Sequence, residues 1–158
     1  MRVGIGHDTH RLVANRPLIL AGLTVPHSRG LAGHSDADVV LHAVTDALLG
    51  AAGLGDIGDL YPDTDPRWHN ADSKLFLQET LDTLNRMGYR PVNLDVIIFA
   101  QEPKLGALKG QMRQQLAHLL GLDVSTVNIK AKTGESVGHI GRAEAIACQA
   151  VVLIDMHK

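Results

Sequence analysis

The stretch Gly33-His34-Ser35-Asp36-Ala37-Asp38-Val39-Val40-Leu41-His42-Ala43-Val44-Thr45-Asp46 decides how the rest of the chain is read. Val39, Val40, Ala43, Val44, Ala47 and Leu48 recur at helical spacing, so a helix is expected from about Ala37 to Ala52. Asp38, His42 and Asp46 stand four apart and would stack along one face of it. His34 lies just ahead, where Ser35 or Asp36 could cap the helix. A solvated helix face usually carries Lys and Glu. This one carries His and Asp with no Lys or Arg, which suits a metal site.

Upstream, Met1 to Leu12 reads as a strand. Val3, Ile5, His7 and Thr9 share one face; Gly4, Gly6, Asp8 and His10 share the other. Asp8 and His10 are thus same-side neighbours, and the glycines leave room for close approach by a ligand or another backbone. Leu18 to Val25 reads as a second strand ended by Pro26, and Ser28 to Asp36 as a loop. Downstream, Gly53 to Asp59 and Tyr61 to Pro66 are too rich in Gly, Pro and Asp to be regular. A helix is expected from Asp72 or Ser73 to Gly88, burying Leu77, Leu81 and Leu84. A strand follows at Val92 to Ala100, then a helix from about Leu105 to Leu120 burying Leu108, Met112, Leu116, Leu119 and Leu120. Thr126 to Lys132 reads as a strand, Thr133 to Gly141 as a polar loop, and Ala143 to Ile154 as a last strand, apolar on both faces. This β-β-α-α-β-α-β-β order implies an α+β fold, a mixed sheet with helices on one face. A doubly apolar last strand then needs a second cover, most simply a symmetric partner subunit.

The 158 residues suit one domain, 1–158, with a real core. A formal net charge of -2 argues against nucleic acid or a membrane surface as partner. The lone cysteine, Cys148, has no intrachain partner and sits in an apolar strand, as a small core residue would. No targeting segment and no bilayer-spanning apolar run is evident, so a soluble cytoplasmic protein is expected. Nine His against one Trp, two Tyr and two Phe imply an aliphatic core and some histidines with functional roles. His27, His69, His118 and His157 have no partner pattern and are expected at the surface.

Asp8, His10 and His42 form a possible three-ligand set, two on a strand and one on a helix. One oxygen and two imidazole nitrogens suit zinc, and three protein ligands leave a fourth position open, as in catalytic sites. Asp46 could orient His42 from behind. The plainer alternative is a strand bearing two hydrogen-bonded polar residues. Lys132-Thr133-Gly134-Glu135, at a strand end, could hold a phosphate with a divalent cation on Glu135; its alternative is an exposed turn. Lys104, alone in a loop, could simply be solvated.

Taken together, several blocks resemble the 2-C-methyl-D-erythritol 2,4-cyclodiphosphate synthase family. They are Gly6-His7-Asp8-Thr9-His10, His34-Ser35-Asp36-Ala37-Asp38, Leu41 to Ala51, Gly55-Asp56-Ile57-Gly58, Tyr61 to Pro66, Ala100-Gln101-Glu102-Pro103-Lys104 and Gly141-Arg142-Ala143-Glu144. They occur in the family's order and span nearly the whole chain.

The resemblance implies a metal-dependent phosphorus–oxygen lyase of the non-mevalonate isoprenoid route. The 2-phosphate of a cytidine diphosphate ester of methylerythritol would attack the β-phosphorus, and CMP would leave. It implies a homotrimer with active sites between subunits, and one zinc per subunit on Asp8, His10 and His42. It implies Mg²⁺ or Mn²⁺ on Glu135 and the substrate phosphates. The catalytic set would be Asp8, His34, Lys132, Thr133 and Glu135. His34, Ser35 and Asp63 would face the methylerythritol, and Asp56, Ile57 and Gly58 the ribose. Ala100, Pro103, Lys104, Lys132 and Thr133 would take the cytidine.

Two departures stand out. His139 replaces a residue usually aromatic in the family; with Arg142 it would lie near a trimer-axis cavity proposed to take isoprenoid phosphates. Glu102 stands where a small residue is common. Two other functions fit the same residues: a zinc phosphohydrolase acting on a nucleotide ester, and a trimeric isoprenoid-phosphate sensor. A separate cytidylyltransferase is a possible partner.

Overall fold

The computed structural model describes residues 1–157. The long first strand is β1 (Arg2–Ala14). The expected strand Leu18–Val25 is instead a hairpin, β2 (Leu18–Leu20) and β3 (Leu23–Val25). Its turn, Ala21-Gly22, has φ of 56° and 74°, the twist that a two-residue hairpin loop requires. The expected Ser28–Asp36 loop contains another short strand, β4 (Arg29–Leu31), paired antiparallel with the end of β1.

Helix α1 (Val39–Ala52) follows, two residues later than the sequence suggests. Its cap is Asp38, not Ser35 or Asp36. The Asp38 carboxylate accepts the Val40 and Leu41 N–H groups, each at 3.1 Å, and also that of Ala21 in the hairpin turn at 3.0 Å. Asp38 is therefore fully buried and satisfied, and it is absent from the polar face on which its spacing had placed it. Gly53, at φ 74°, ends the helix.

The Gly- and Asp-rich region is partly regular: a four-residue helix α2 (Ile57–Leu60) and a 3-10 turn at Pro66–Trp68. Then come α3 (Ser73–Arg86), β5 (Tyr89–Phe99), α4 (Lys109–Leu120) and β6 (Val127–Lys132). A short helix α5 (Gly138–Gly141) closes the expected Thr133–Gly141 loop, and β7 (Ala145–Met156) ends the described chain.

Five strands form a mixed sheet in the order β4-β1-β7-β5-β6; β5 and β6 are parallel, the other pairs antiparallel. The helices cover one face. Ile146, Cys148, Ala150, Val152 and Ile154 of β7 are buried beneath them. The opposite face is uncovered: Val3 and Ile5 are 67% and 62% exposed, and their register partners there are Leu153 and Val151. An apolar face of this kind calls for a partner. No described helix is long and apolar enough to cross a membrane.

The sheet meets α1 at two glycines. A Cβ on Gly4 would lie 1.9 Å from the Ala47 carbonyl oxygen, and one on Gly6 would lie 2.0 Å from that of Ala43. Only glycine lets the helix backbone rest directly on the strand. That contact brings His42 of α1 down to Asp8 and His10 of β1.

Candidate metal centre and active site

Asp8, His10 and His42 converge as their spacing suggested. Asp8 Oδ2 lies 2.9 Å from both His10 Nε2 and His42 Nδ1, and the two nitrogens are 3.1 Å apart. The other nitrogen of His10, Nδ1, donates to the Ala32 carbonyl at 2.6 Å. Gly33 leaves room for this ring: a Cβ there would stand 3.1 Å from His10 Cε1. A carboxylate oxygen and two imidazole nitrogens in mutual contact need positive charge between them, supplied by a proton or a cation. One oxygen and two nitrogens with an open side fit a divalent metal such as zinc.

The charges are coupled. Burial raises the Asp8 carboxyl, but hydrogen bonds and charge from His10 and His42 overcome it and hold it well below the usual carboxylate range. Burial lowers His10, and the Asp8 hydrogen bond and charge reverse this, so its pKa is raised above the ordinary 6.5.

His10 and His42 of the trio line a cavity of about 440 Å³ that is also lined by His34, Ser35, Ile57, Gly58 and Asp63. Each of these five was expected at a substrate site. Asp56 caps α2 through the Asp59 N–H at 3.0 Å, and so shapes the same rim. Asp46 makes no hydrogen bond with His42. Its carboxylate accepts the Ile57 N–H at 3.0 Å and ties that rim to α1, so the orienting role expected for it is corrected. His42 Nε2 faces Ser73 Oγ at 2.9 Å and Ser35 Oγ at 3.2 Å instead.

Several contributors escaped the sequence reading. Tyr61, Trp68 and Phe76 line the cavity, with ring centroids 4.7 to 5.6 Å apart. A chain with so few aromatics that gathers three of them between residues 61 and 76 gave a usable signal. Arg16 donates to the Gly33 carbonyl at 3.0 Å and the Ser35 carbonyl at 2.7 Å, pinning the cavity loop from the β1–β2 connection. Nothing local in the sequence marks it. His27, expected at the surface, is half-buried, and its Nε2 is buried without a hydrogen-bond partner. His157 reaches Asn85 Oδ1 at 2.9 Å.

The second group of expected site residues gathers elsewhere. The Ala100 N–H donates to the Lys132 carbonyl at 2.9 Å, joining the loop that carries Pro103 and Lys104 to the end of β6. Thr133 Oγ1 donates to Glu135 at 2.6 Å, and the Gly134 N–H donates to Gln101 Oε1 at 3.2 Å. Thr9, Ala147, Phe99 and Lys132 lie in one register row across the sheet. Lys132 is therefore level with Asp8 and His10, but three strands away, about 14 Å. Its side chain emerges on the uncovered face, opposite the helices. His139 is exposed on α5, and Arg142 forks onto Glu144 at 2.8 and 3.0 Å. Glu102 reaches only to 3.9 Å from Arg29.

Comparison with known proteins places this arrangement. The YgbB family matches residues 1–155. A 2-C-methyl-D-erythritol 2,4-cyclodiphosphate synthase of Bordetella petrii is 55% identical over 153 residues, 97% of this chain and 94% of that protein. A solved synthase of that name, in a form with CDP bound, is 40% identical with a TM-score of 0.90, covering 98% of this chain and all of that one. The bifunctional IspDF of Campylobacter jejuni is 44% identical with a TM-score of 0.95; it covers 99% of this chain, which spans 42% of that longer one.

Proposed function

This chain belongs to the YgbB family, and from that premise we propose that it is a cyclodiphosphate synthase of the non-mevalonate isoprenoid pathway. It converts 4-diphosphocytidyl-2-C-methyl-D-erythritol 2-phosphate to 2-C-methyl-D-erythritol 2,4-cyclodiphosphate. An oxygen of the 2-phosphate bonds to the β-phosphorus, the bond from that phosphorus to the bridging oxygen breaks, and CMP leaves with that oxygen. The observation that carries this reading is the Asp8–His10–His42 trio, whose two histidines line a cavity shared with His34, Ser35 and Asp63.

The nucleophile is already an anionic phosphate, so no strong base is required. The chain must bring two anions together and fold the substrate toward a ring. His34, Ser35 and Asp63 would hold the methylerythritol hydroxyls, and Tyr61, Trp68 and Phe76 would keep water from its carbon skeleton. Asp56, Ile57 and Gly58 would face the ribose. Ala100, Pro103, Lys104, Lys132 and Thr133 would bind cytidine and its phosphates, and Glu135 would hold Mg²⁺ or Mn²⁺. Zinc on Asp8, His10 and His42 would supply Lewis-acid polarisation and charge screening at the phosphates.

The assembly is a homotrimer with its active sites between subunits. Two features support this. The nucleotide-binding group and the metal group emerge on opposite faces of one sheet, so they meet only across a contact between copies. The uncovered face bearing Val3, Ile5 and Val151 is apolar enough to form such a contact. His139 and Arg142 would then line an axial cavity open to an isoprenoid diphosphate. The location is cytoplasmic.

The test is phosphorus NMR of the purified protein with the substrate, with and without EDTA. Paired resonances of a cyclic diphosphate together with CMP, abolished by the chelator, are expected. CMP with a linear phosphate would replace this reading with a hydrolase. Absence of turnover with zinc still bound would replace it with a sensor.

A further inference from the structure

Behind His42 lies a hydrogen-bond arrangement whose polarity can be assigned atom by atom. Ser73, the first residue of α3, is fully buried. Its N–H donates to Asp36 Oδ2 at 3.1 Å, and its hydroxyl donates to Asp36 Oδ1, which also accepts the Asp38 N–H at 3.2 Å. A carboxylate has no proton to return. The single hydroxyl proton of Ser73 is therefore committed, and what it turns toward His42 Nε2, at 2.9 Å, is a lone pair. Ser35 Oγ, 3.2 Å from the same nitrogen, accepts the Ala37 N–H at 3.1 Å, and its own hydroxyl donates to Ser73 Oγ at 3.4 Å, since the Ser73 proton is already given to Asp36. Ser73 thus holds a proton on His42 Nε2 and leaves Nδ1 turned to Asp8 and His10, where the positive charge that this contact needs is a shared proton in the empty site and a cation in the filled one. His10 is the mirror case: the Ala32 carbonyl fixes a proton on Nδ1 and leaves Nε2 turned to the same point.

We propose that Ser73, held by Asp36, is a positioning residue that locks His42 in the orientation and tautomer that ligates a metal through Nδ1. The proposal rests on the reading of Asp8, His10 and His42 as a metal centre. It gives Asp36 and the start of α3 a task that helix capping does not explain, since Asp72 caps α3 and Asp38 caps α1. Partners of this kind fix ring rotation and raise ligand basicity, and their loss typically costs about 10–100-fold in metal affinity.

Two measurements test it. In the zinc-loaded wild type, long-range proton–nitrogen NMR of histidine-labelled protein should find His42 protonated on Nε2 and His10 on Nδ1. Zinc affinity, read by competition with a chromophoric chelator, should fall about 10–100-fold in Ser73→Ala. Ser73→Thr should restore most of it, and Gln78→Ala, on the exposed side of α3, should leave it unchanged. The visible spectrum of the cobalt-substituted Ser73→Ala protein should differ from wild type. A proton on His42 Nδ1 in the zinc-loaded wild type, or undiminished zinc affinity in a folded Ser73→Ala, overturns the proposal. Should Ser73→Ala fail to fold, the wild-type tautomer decides alone. Wild-type protein that binds no zinc would overturn the metal reading itself, and this proposal with it.

Discussion

The two halves of the proposed site are built in opposite ways. The Asp8, His10 and His42 side chains are 26%, 18% and 12% exposed, and they sit where a helix backbone rests on a strand backbone. Each is fixed from behind or beside by a second polar group. Lys104, Lys132 and Glu135, by contrast, are exposed at strand ends and loops, and among the described residues they show one side-chain hydrogen bond, from Thr133 to Glu135. The first half is finished within one chain. The second presents charge to solvent, and in the proposed assembly another copy would complete it. On that proposal, preorganisation goes to the groups assigned to a cation, and assembly to the groups assigned to the nucleotide.

The largest effects should come from breaking one half at a time. His42→Ala should lower kcat/KM by at least about 10³-fold, roughly 4 kcal/mol, with the fold retained. Lys132→Ala should lower it about 10–100-fold while zinc affinity stays at the wild-type value. Each variant alone is impaired, yet co-assembled in equal amounts they should recover about a quarter of wild-type activity, the share of sites that receive both intact halves. Steady-state kinetics on mixed and unmixed assemblies would show it. Activity no higher than the average of the two pure variants would place both halves within one chain.

Gly6→Ala tests whether the finished half depends on backbone contact. The new methyl has to displace the Ala43 carbonyl, so a loss of about 1–3 kcal/mol in denaturant unfolding is expected, together with weaker zinc binding as His42 is lifted away. Gly110, at the start of α4, has nothing within 4 Å of a built Cβ. Gly110→Ala should leave zinc binding untouched, and equal losses in both variants would remove the contact argument.

Protons sharpen the same contrast. In the metal-free protein the raised His10 pKa contributes stability that is full below the ordinary histidine value and is lost as pH rises through the raised one. The depressed Asp8 pKa contributes stability present above the ordinary carboxylate value and lost as pH falls below it. The pair therefore helps the empty site most between about pH 4 and 6.5. A metal must displace the His10 proton, so zinc affinity should climb about tenfold per pH unit up to that raised pKa and flatten above it. Calorimetry in buffers of different ionisation enthalpy should find about one proton released per zinc at the acid end. A flat profile from about pH 5.5 upward would show that His10 is not a ligand.

Periodicity made much of this legible, and its failures have physical causes. Strand alternation put Asp8 and His10 on one face, and helical spacing put His42 on the polar face of α1; that these two faces meet came only with the backbone contact at Gly4 and Gly6. The same spacing misassigned Asp38, because a cap residue leaves helical geometry (φ -68°, ψ 92°) and turns its side chain back onto the first N–H groups. The β2–β3 turn was hidden because Ala21 is no turn residue by preference; the distant Asp38 carboxylate holds it. β4 has three residues, too few to alternate visibly. Arg16, Asp36 and Ser73 act over long sequence separations through hydrogen bonds, which leave no periodic trace. That the two halves emerge on opposite faces follows from the register of four strands, and no single motif carries it.

The smallest expected effect lies at His139, in the solvent-facing half. Arg142, the fixed cation beside it, is forked onto Glu144, so part of its charge is already answered. A prenyl diphosphate bound there would set its tail against the His139 ring, where a phenyl ring would offer more apolar surface. Its affinity, measured by calorimetry at one pH, should rise more steeply with prenyl chain length in His139→Phe than in the wild type. Glu144→Gln should release Arg142 and raise the affinity of inorganic diphosphate and prenyl diphosphate alike. Equal dependence on chain length in His139→Phe and the wild type would show that no prenyl tail reaches α5, and would leave Arg142 as the one contribution of this group to such a ligand.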